Sequence, residues 1–147
     1  MSHTYAKNHL HVIFSTKQRE KLIPKNLQPK LWSYMAGIFH NRGITPIAIN
    51  GTDDHAHALF HLPPSIALAK AMLLLKANSS RWMSEHGKKF AWQDGYGAFS
   101  VSVSNTATVA NYIRNQEEHH RKMSFEEEFL ALLKKHGVEY DPRYVLG

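Results

Sequence analysis

Two small groups of side chains in this 147-residue chain have the types and spacing to do chemistry. The first is Asp54-His55-Ala56-His57-Ala58-Leu59-Phe60-His61. On a strand, residues two apart project to the same side, so His55 and His57 would stand side by side with roughly 6–7 Å between their Cα atoms. Two imidazoles at that separation can grip one divalent ion. His61 shares their side but lies roughly 13 Å from His57 along a strand, too far to join the same ion. The second group is Tyr112 and Gln116, which a helix would stack one above the other. A phenol can attack a phosphodiester if a metal polarises the phosphate, and an amide oxygen is a neutral donor suited to magnesium or manganese. Each group also has a plain structural reading. A His-x-His pair can merely decorate a half-exposed strand, and Tyr112 beside Val109 and Ile113 can be a core aromatic with Gln116 at its polar margin.

The elements that must position these residues are legible in the pattern. His9-Leu-His-Val-Ile-Phe-Ser-Thr-Lys17 is rich in β-branched and aromatic residues and predicts a strand. Pro24 and Pro29 precede a helical stretch in which Leu31, Tyr34, Met35, Ile38 and Phe39 share one face, and Gly43 ends it. Two short strands follow, about 45–50 and 55–62, joined by a turn at Gly51-Thr-Asp-Asp54, with Ala56, Ala58, Phe60 and Leu62 on the core face of the second. Ser65 is the expected N-cap of a helix running to about His86. The alternation Phe99-Ser-Val-Ser-Val-Ser104 predicts another strand, residues 106–122 a helix, and Phe125–Lys135 a last short helix.

The order β-α-β-β-α-β followed by helices is the ferredoxin-like series, an α+β fold with an antiparallel sheet and two helices on one face. The other face needs a cover from the later helices, a second subunit or a ligand; the C-terminal helices are expected to cover the active-site face. No repeat, low-complexity tract or linker divides residues 1–147, so a single domain is expected.

Composition narrows the chemistry. There is no cysteine, which excludes disulfide scaffolds, thiol nucleophiles and thiolate zinc sites. No apolar run approaches the roughly 18 residues a membrane span needs. Residues 1–20 have no signal-peptide core, so a cytoplasmic protein without membrane contact is expected. The net charge of +6 is carried by residues 1–50, where seven Lys or Arg face only Glu20. A positive field concentrated in one third favours a polyanionic partner such as nucleic acid, although small proteins are also basic for solubility alone. Eleven histidines in so short a chain suggest a site.

In their order and separation, Asp54 with His55-Ala56-His57, then Tyr112-Ile113-Arg114-Asn115-Gln116 followed by Glu118-His119-His120, resemble the single-tyrosine HUH transposases. These comprise the transposases of the smallest bacterial insertion sequences and the REP-associated tyrosine transposases. His11-Val-Ile-Phe-Ser-Thr-Lys17, Ser79-Ser80-Arg81-Trp82 and Trp92-Gln93-Asp94-Gly95-Tyr96-Gly97-Ala98-Phe99-Ser100-Val101 extend the likeness over about residues 9 to 144. Ala56 and Ala58 depart from it, since bulkier aliphatics are commoner there; that touches packing behind the histidines.

The resemblance implies that His55, His57 and Gln116 ligate a divalent metal, Mg2+ or Mn2+, and that Tyr112 is the nucleophile. The implied reaction cuts single-stranded DNA, leaves a 5′-phosphotyrosine bond and a free 3′-hydroxyl, and then joins a second end. Such an exchange of phosphodiesters needs no ATP, and the chain carries no phosphate-cradling glycine loop. The resemblance further implies hairpin-ended DNA and a homodimer in which the tyrosine helix can complete the partner's site, with a strand such as Phe99–Ser104 pairing across it. Lys17, Arg19, Lys21 and Lys25 are the foremost candidates for phosphate contacts. Arg81 is either another contact or helix surface.

His119 and His120 are expected at the active site or as solvated helix-end residues. Trp92 and Tyr96 stack on an extruded base or anchor their loop. Glu126-Glu127-Glu128 reads as a solvated first turn of the last helix. Two other functions fit the same pattern, a non-catalytic nucleic-acid-binding module and a metal nuclease in which the histidines activate water.

Overall fold

The structure, a computed structural model, describes residues 3–146. Its core element is a four-stranded sheet of β1 (His9–Ser15), β2 (Thr45–Gly51), β3 (His55–His61) and β4 (Gly97–Val101). The order is β2-β3-β1-β4 and every pairing is antiparallel. Helices α1 (Gln28–Asn41) and α2 (Leu68–Glu85) connect the strands, and α3 (Thr106–Arg114), α4 (Gln116–His119) and α5 (Phe125–Lys135) come after β4. This is the expected ferredoxin-like α+β series with added C-terminal helices. Among the described residues no helix is long and apolar enough to cross a membrane.

Strand alternation divides the chain between two jobs. Even-numbered residues of β1 and β3, Val12, Phe14, Ala56, Ala58 and Phe60, bury against Leu31, Met35 and Phe39 of α1 and Met72, Leu75 and Met83 of α2. The odd-numbered residues point the other way. There Ile13 and Phe99 meet Phe125, Phe129 and Leu133 of α5. Leu59 and Ala48 meet Ala110 and Ile113 of α3. Between these two apolar patches the odd face carries His11, His55 and His57, each fully or almost fully buried.

Several boundaries differ from the sequence pattern; β1 ends at Ser15 rather than Lys17, and β4 begins at Gly97 rather than Phe99. β4 stops at Val101 rather than Ser104, because Val101 pairs with His9, the first residue of β1, which leaves residues 102–104 with no strand beside them. The chain turns instead through a 3-10 segment, Val103–Asn105. The expected helix over 106–122 breaks at Asn115, where φ is −101° and ψ 27°. The Asn50 side-chain amide on β2 donates to the carbonyls of Ile113 (3.0 Å) and Arg114 (3.1 Å), capping α3 from the sheet. Finally, α2 begins at Leu68 with Ala67 as its N-cap, not Ser65.

α5 is seated by contact with a glycine. A Cβ on Gly97 would lie 2.6 Å from Phe129 Cε1 and 3.1 Å from Ile13 Cγ2. The α5 N-terminus is fixed as well, because the Ser124 hydroxyl accepts from the Glu127 amide. Gly97→Ala is therefore expected to force Phe129 outward and cost about 1–3 kcal/mol by overpacking. Urea unfolding checks this; an unchanged midpoint would mean that α5 is not held against β4.

Candidate active site

β3 supplies two imidazoles to one side of the sheet. The Nδ1 of His55 lies 2.8 Å from Asp54 Oδ1 and 2.9 Å from Thr52 Oγ1, both from the turn that precedes the strand. His57 is buttressed by the neighbouring strand, its Nδ1 lying 2.7 Å from His11 Nε2. Each ring is thus oriented through one nitrogen and presents Nε2 to the space beneath the C-terminal helices, the usual arrangement of histidines that bind metals.

The helices bring the other groups. Tyr112 is two residues before the end of α3, and its ring packs edge-on to His57, with centroids 5.9 Å apart. Gln116 follows the break; it is fully buried, its Oε1 lies 3.0 Å from His55 Nε2, and its amide donates to the Tyr112 carbonyl at 3.4 Å. α5 contributes Glu128, 2% exposed, whose Oε1 lies 3.0 Å from His57 Nε2, 3.0 Å from His120 Nε2 and 3.6 Å from His55 Nε2. The Tyr112 hydroxyl donates to the other oxygen of the same carboxylate. The sequence-predicted residues His55, His57, Tyr112 and Gln116 are thus together in one chain.

The donor set fits a cation. Ligand atoms of His55, His57, His120 and Glu128 all lie within 4.8 Å of one another, and the group can hold a metal ion. A neutral imidazole has only one N–H. If His55 gives its hydrogen to Asp54, its Nε2 lone pair confronts the Gln116 oxygen at 3.0 Å. Two such lone pairs attract only through a shared positive charge. Nitrogen, amide oxygen and carboxylate ligands together suit an ion of intermediate hardness.

Burial and mutual contact set the charges. Desolvation lowers the pKa of His57 to about 4 against the opposing pull of Glu128, so the imidazole is neutral at neutral pH. Desolvation and then His57 lower His11 to about 3. Burial alone would raise Glu128, but hydrogen bonds from His120 and His57 prevail and hold its carboxyl well below the usual carboxylate range. Burial, reinforced by the bond to Glu128, pushes the Tyr112 phenol above its ordinary value. In this arrangement the phenol keeps its proton.

Glu128, His120 and His11 join a cluster that residue spacing alone does not assemble. Glu128 corrects the expectation of a solvated acidic turn: only Glu126 and Glu127 are exposed. The signal was present, since Phe125, Glu128, Phe129, Leu132 and Leu133 keep the 3, 4, 7, 8 spacing of the buried stripe of α5. His120 is turned inward, whereas His119 stays exposed against the Tyr112 ring at 4.5 Å.

Of the cations expected to meet phosphate, Lys21 and Lys25 line one pocket together with Asp54 and His120. Lys17, Lys21 and Lys25 are exposed, and Lys25 pairs with Glu117 at 3.2 Å. Arg19 is half-buried, donating to the Leu146 carbonyl at 2.9 Å and pairing with Glu126 at 2.8 Å. Arg81 lies on α2, on the other side of the sheet, and bonds Asn78 Oδ1 at 2.7 Å. Trp92 anchors its loop, donating from Nε1 to the Ser79 hydroxyl at 2.9 Å.

The chain is similar to one family of known sequences and to solved structures of related fold. A family model described as an IS200-like transposase matches residues 4–116, which include His55, His57, Tyr112 and Gln116 and stop short of His120 and Glu128. The crystal structure of a candidate transposase from Deinococcus radiodurans R1 is similar, with a TM-score of 0.63 and 23% identity over 79% of this chain and 95% of that one. A REP-associated tyrosine transposase bound to a REP hairpin has a TM-score of 0.62 and 15% identity over 82% of this chain and 73% of its own. Both structural likenesses are likenesses of fold. Comparison with curated protein sequences gives no significant match.

Metal binding should stabilise the protein. At a hundredfold excess over its dissociation constant, Mn2+ is expected to add about 2.7 kcal/mol, a rise of about 5–10 °C in Tm for a chain of this size. His57→Ala should lose most of that rise in a thermal melt. An equal rise in the variant would remove His57 from the site.

Proposed function

The chain belongs to the IS200-like transposase family, and from that premise we propose that it cuts and rejoins single-stranded DNA with Tyr112 as nucleophile. His55, His57 and Gln116 hold a divalent ion, Mg2+ or Mn2+, with Glu128 and His120 close enough to share it. Bound there, the ion supplies a Lewis acid that draws charge from the phosphate oxygens. The Tyr112 oxygen forms a bond to phosphorus, the bond from phosphorus to the 3′ oxygen breaks, and the phenol proton is balanced by the proton that the departing 3′ oxygen takes up. A 3′-hydroxyl from a second end reverses the exchange and releases the tyrosine.

One observation carries this reading: the nucleophile and the imidazoles share a single carboxylate. Glu128 accepts from Tyr112 through one oxygen and meets His57 and His120 through the other. Phenol and metal ligands are thereby held a few ångströms apart within one subunit, as attack on a metal-polarised phosphate requires. Asn50 keeps them there by fixing the end of the tyrosine helix.

The partner in this reading is DNA with hairpin ends, as in the similar structure of a REP-associated tyrosine transposase bound to a REP hairpin. Exposed Lys17, Lys21 and Lys25 are the cations offered to its phosphates, in keeping with the +6 charge. The active form is a homodimer whose subunits can exchange tyrosine helices.

The test is incubation of single-stranded DNA, carrying the hairpin and flank found beside the gene, with the protein and Mn2+. The wild type should form a covalent protein–DNA adduct that denaturing electrophoresis detects. Tyr112→Phe should abolish the adduct while leaving the fold and Mn2+ binding intact. Cleavage that persists in Tyr112→Phe would favour water attack, and binding without cleavage in the wild type would favour a non-catalytic module.

A further inference from the structure

Beside Tyr112 opens a cleft of about 720 Å³, within the size range of small-molecule sites. It exists because the two helices that cover the histidine face are each seated on different strands. α3 packs on β2 and β3 through Ala110 and Ile113, and α5 packs on β1 and β4 through Phe125, Phe129 and Leu133. Between them two helical stripes face each other. Thr108, Val109 and Tyr112 line one wall, continuing the line begun by Asn105, and Glu128, Ala131, Leu132 and Lys135 line the other.

The lining combines apolar, uncharged polar and cationic side chains, with the carboxylate of Glu118 beside them. Val109 and Leu132 give apolar walls, suited to the faces of a flat ring. The Asn105 amide and the Thr108 hydroxyl are exposed on the cleft and make no side-chain hydrogen bond among the described residues, so a ligand's edge can reach them. Lys122 and Lys135 also line the cleft, and no carboxylate of the described residues lies within 4 Å of either ammonium. Apolar faces, polar edge and nearby cations together match a nucleotide. The reactive phenol is part of the same wall.

We propose that this cleft seats the unpaired base immediately 3′ of the cut, on the nucleotide whose 5′-phosphate becomes linked to Tyr112. The assignment to that side comes from stereochemistry and rests on the tyrosine reading above. In an in-line displacement the attacking and leaving oxygens stand on opposite sides of phosphorus. The nucleotide that departs with the 3′-hydroxyl therefore lies away from the phenol, while the one that stays attached can turn back into the cleft beside it. The cleft then contributes to the choice of cleavage site, through one base read in a protein pocket.

Single-stranded oligonucleotides with each of the four bases, or an abasic residue, at the first position 3′ of the cut test this. Thr108→Trp and Ala131→Trp fill the cleft from opposite walls; both positions are exposed, and neither belongs to the catalytic cluster. Each variant should slow adduct formation about tenfold or more on base-bearing substrates and match the wild type on the abasic one. Equal slowing on the abasic substrate, or no slowing on any, would overturn the proposal while leaving the tyrosine chemistry standing. A wild type that forms no adduct with any substrate would overturn both.

Discussion

A carboxylate buried among three imidazoles and a phenol governs the functional half of this molecule. Glu128 is 2% exposed, and a carboxylate so placed remains charged only where donors surround it. His57 and His120 face one oxygen, while Tyr112 donates to the other and the Gln116 amide approaches it at 3.4 Å. Every element on that side of the sheet thereby converges on one group: β3 through His57, α3 through Tyr112, α4 through Gln116 and α5 through Glu128 itself. Removing the carboxylate would leave those donors without a partner. Removing the donors would leave a buried charge unsatisfied.

This constraint explains why the protein uses its sheet asymmetrically. One face, built from the even residues of β1 and β3, is an ordinary apolar core under α1 and α2. The odd face has its apolar contacts in two separate patches, Ile13 and Phe99 under α5 and Leu59 and Ala48 under α3. The centre is polar and buried, and every buried side-chain nitrogen and oxygen among the described residues has a polar neighbour within hydrogen-bonding distance. Stability comes from the first face and the two patches of the second. The polar centre is thus free to serve chemistry.

Much of this was legible because period-2 and period-3.6 patterns are local. His55 and His57 had to share a face once β3 was a strand, and Ala56, Ala58 and Phe60 fixed which face was the core. The hairpin at residues 51–54 and the last helix were legible for the same reason. What escaped depended on tertiary partners. The end of β4 is set by where β1 begins, and the break at Asn115 by an amide from β2, neither of which a local window contains. Glu128 lay between. Its helical phase put it in a buried stripe, but its charge, in a run of three acids, argued for solvent. Only the assembled site shows which of those opposing tendencies prevailed and why.

We expect one cation at the point where the β3 imidazoles and the Gln116 oxygen converge, beside the Tyr112 phenol. Anomalous diffraction from crystals soaked in Mn2+ would locate it. A single strong peak is expected about 2–2.3 Å from Nε2 of both His55 and His57, with Gln116 Oε1 or a Glu128 oxygen completing the shell. A fully occupied peak that touches neither imidazole, or no peak in crystals whose protein binds Mn2+ in solution, would contradict it.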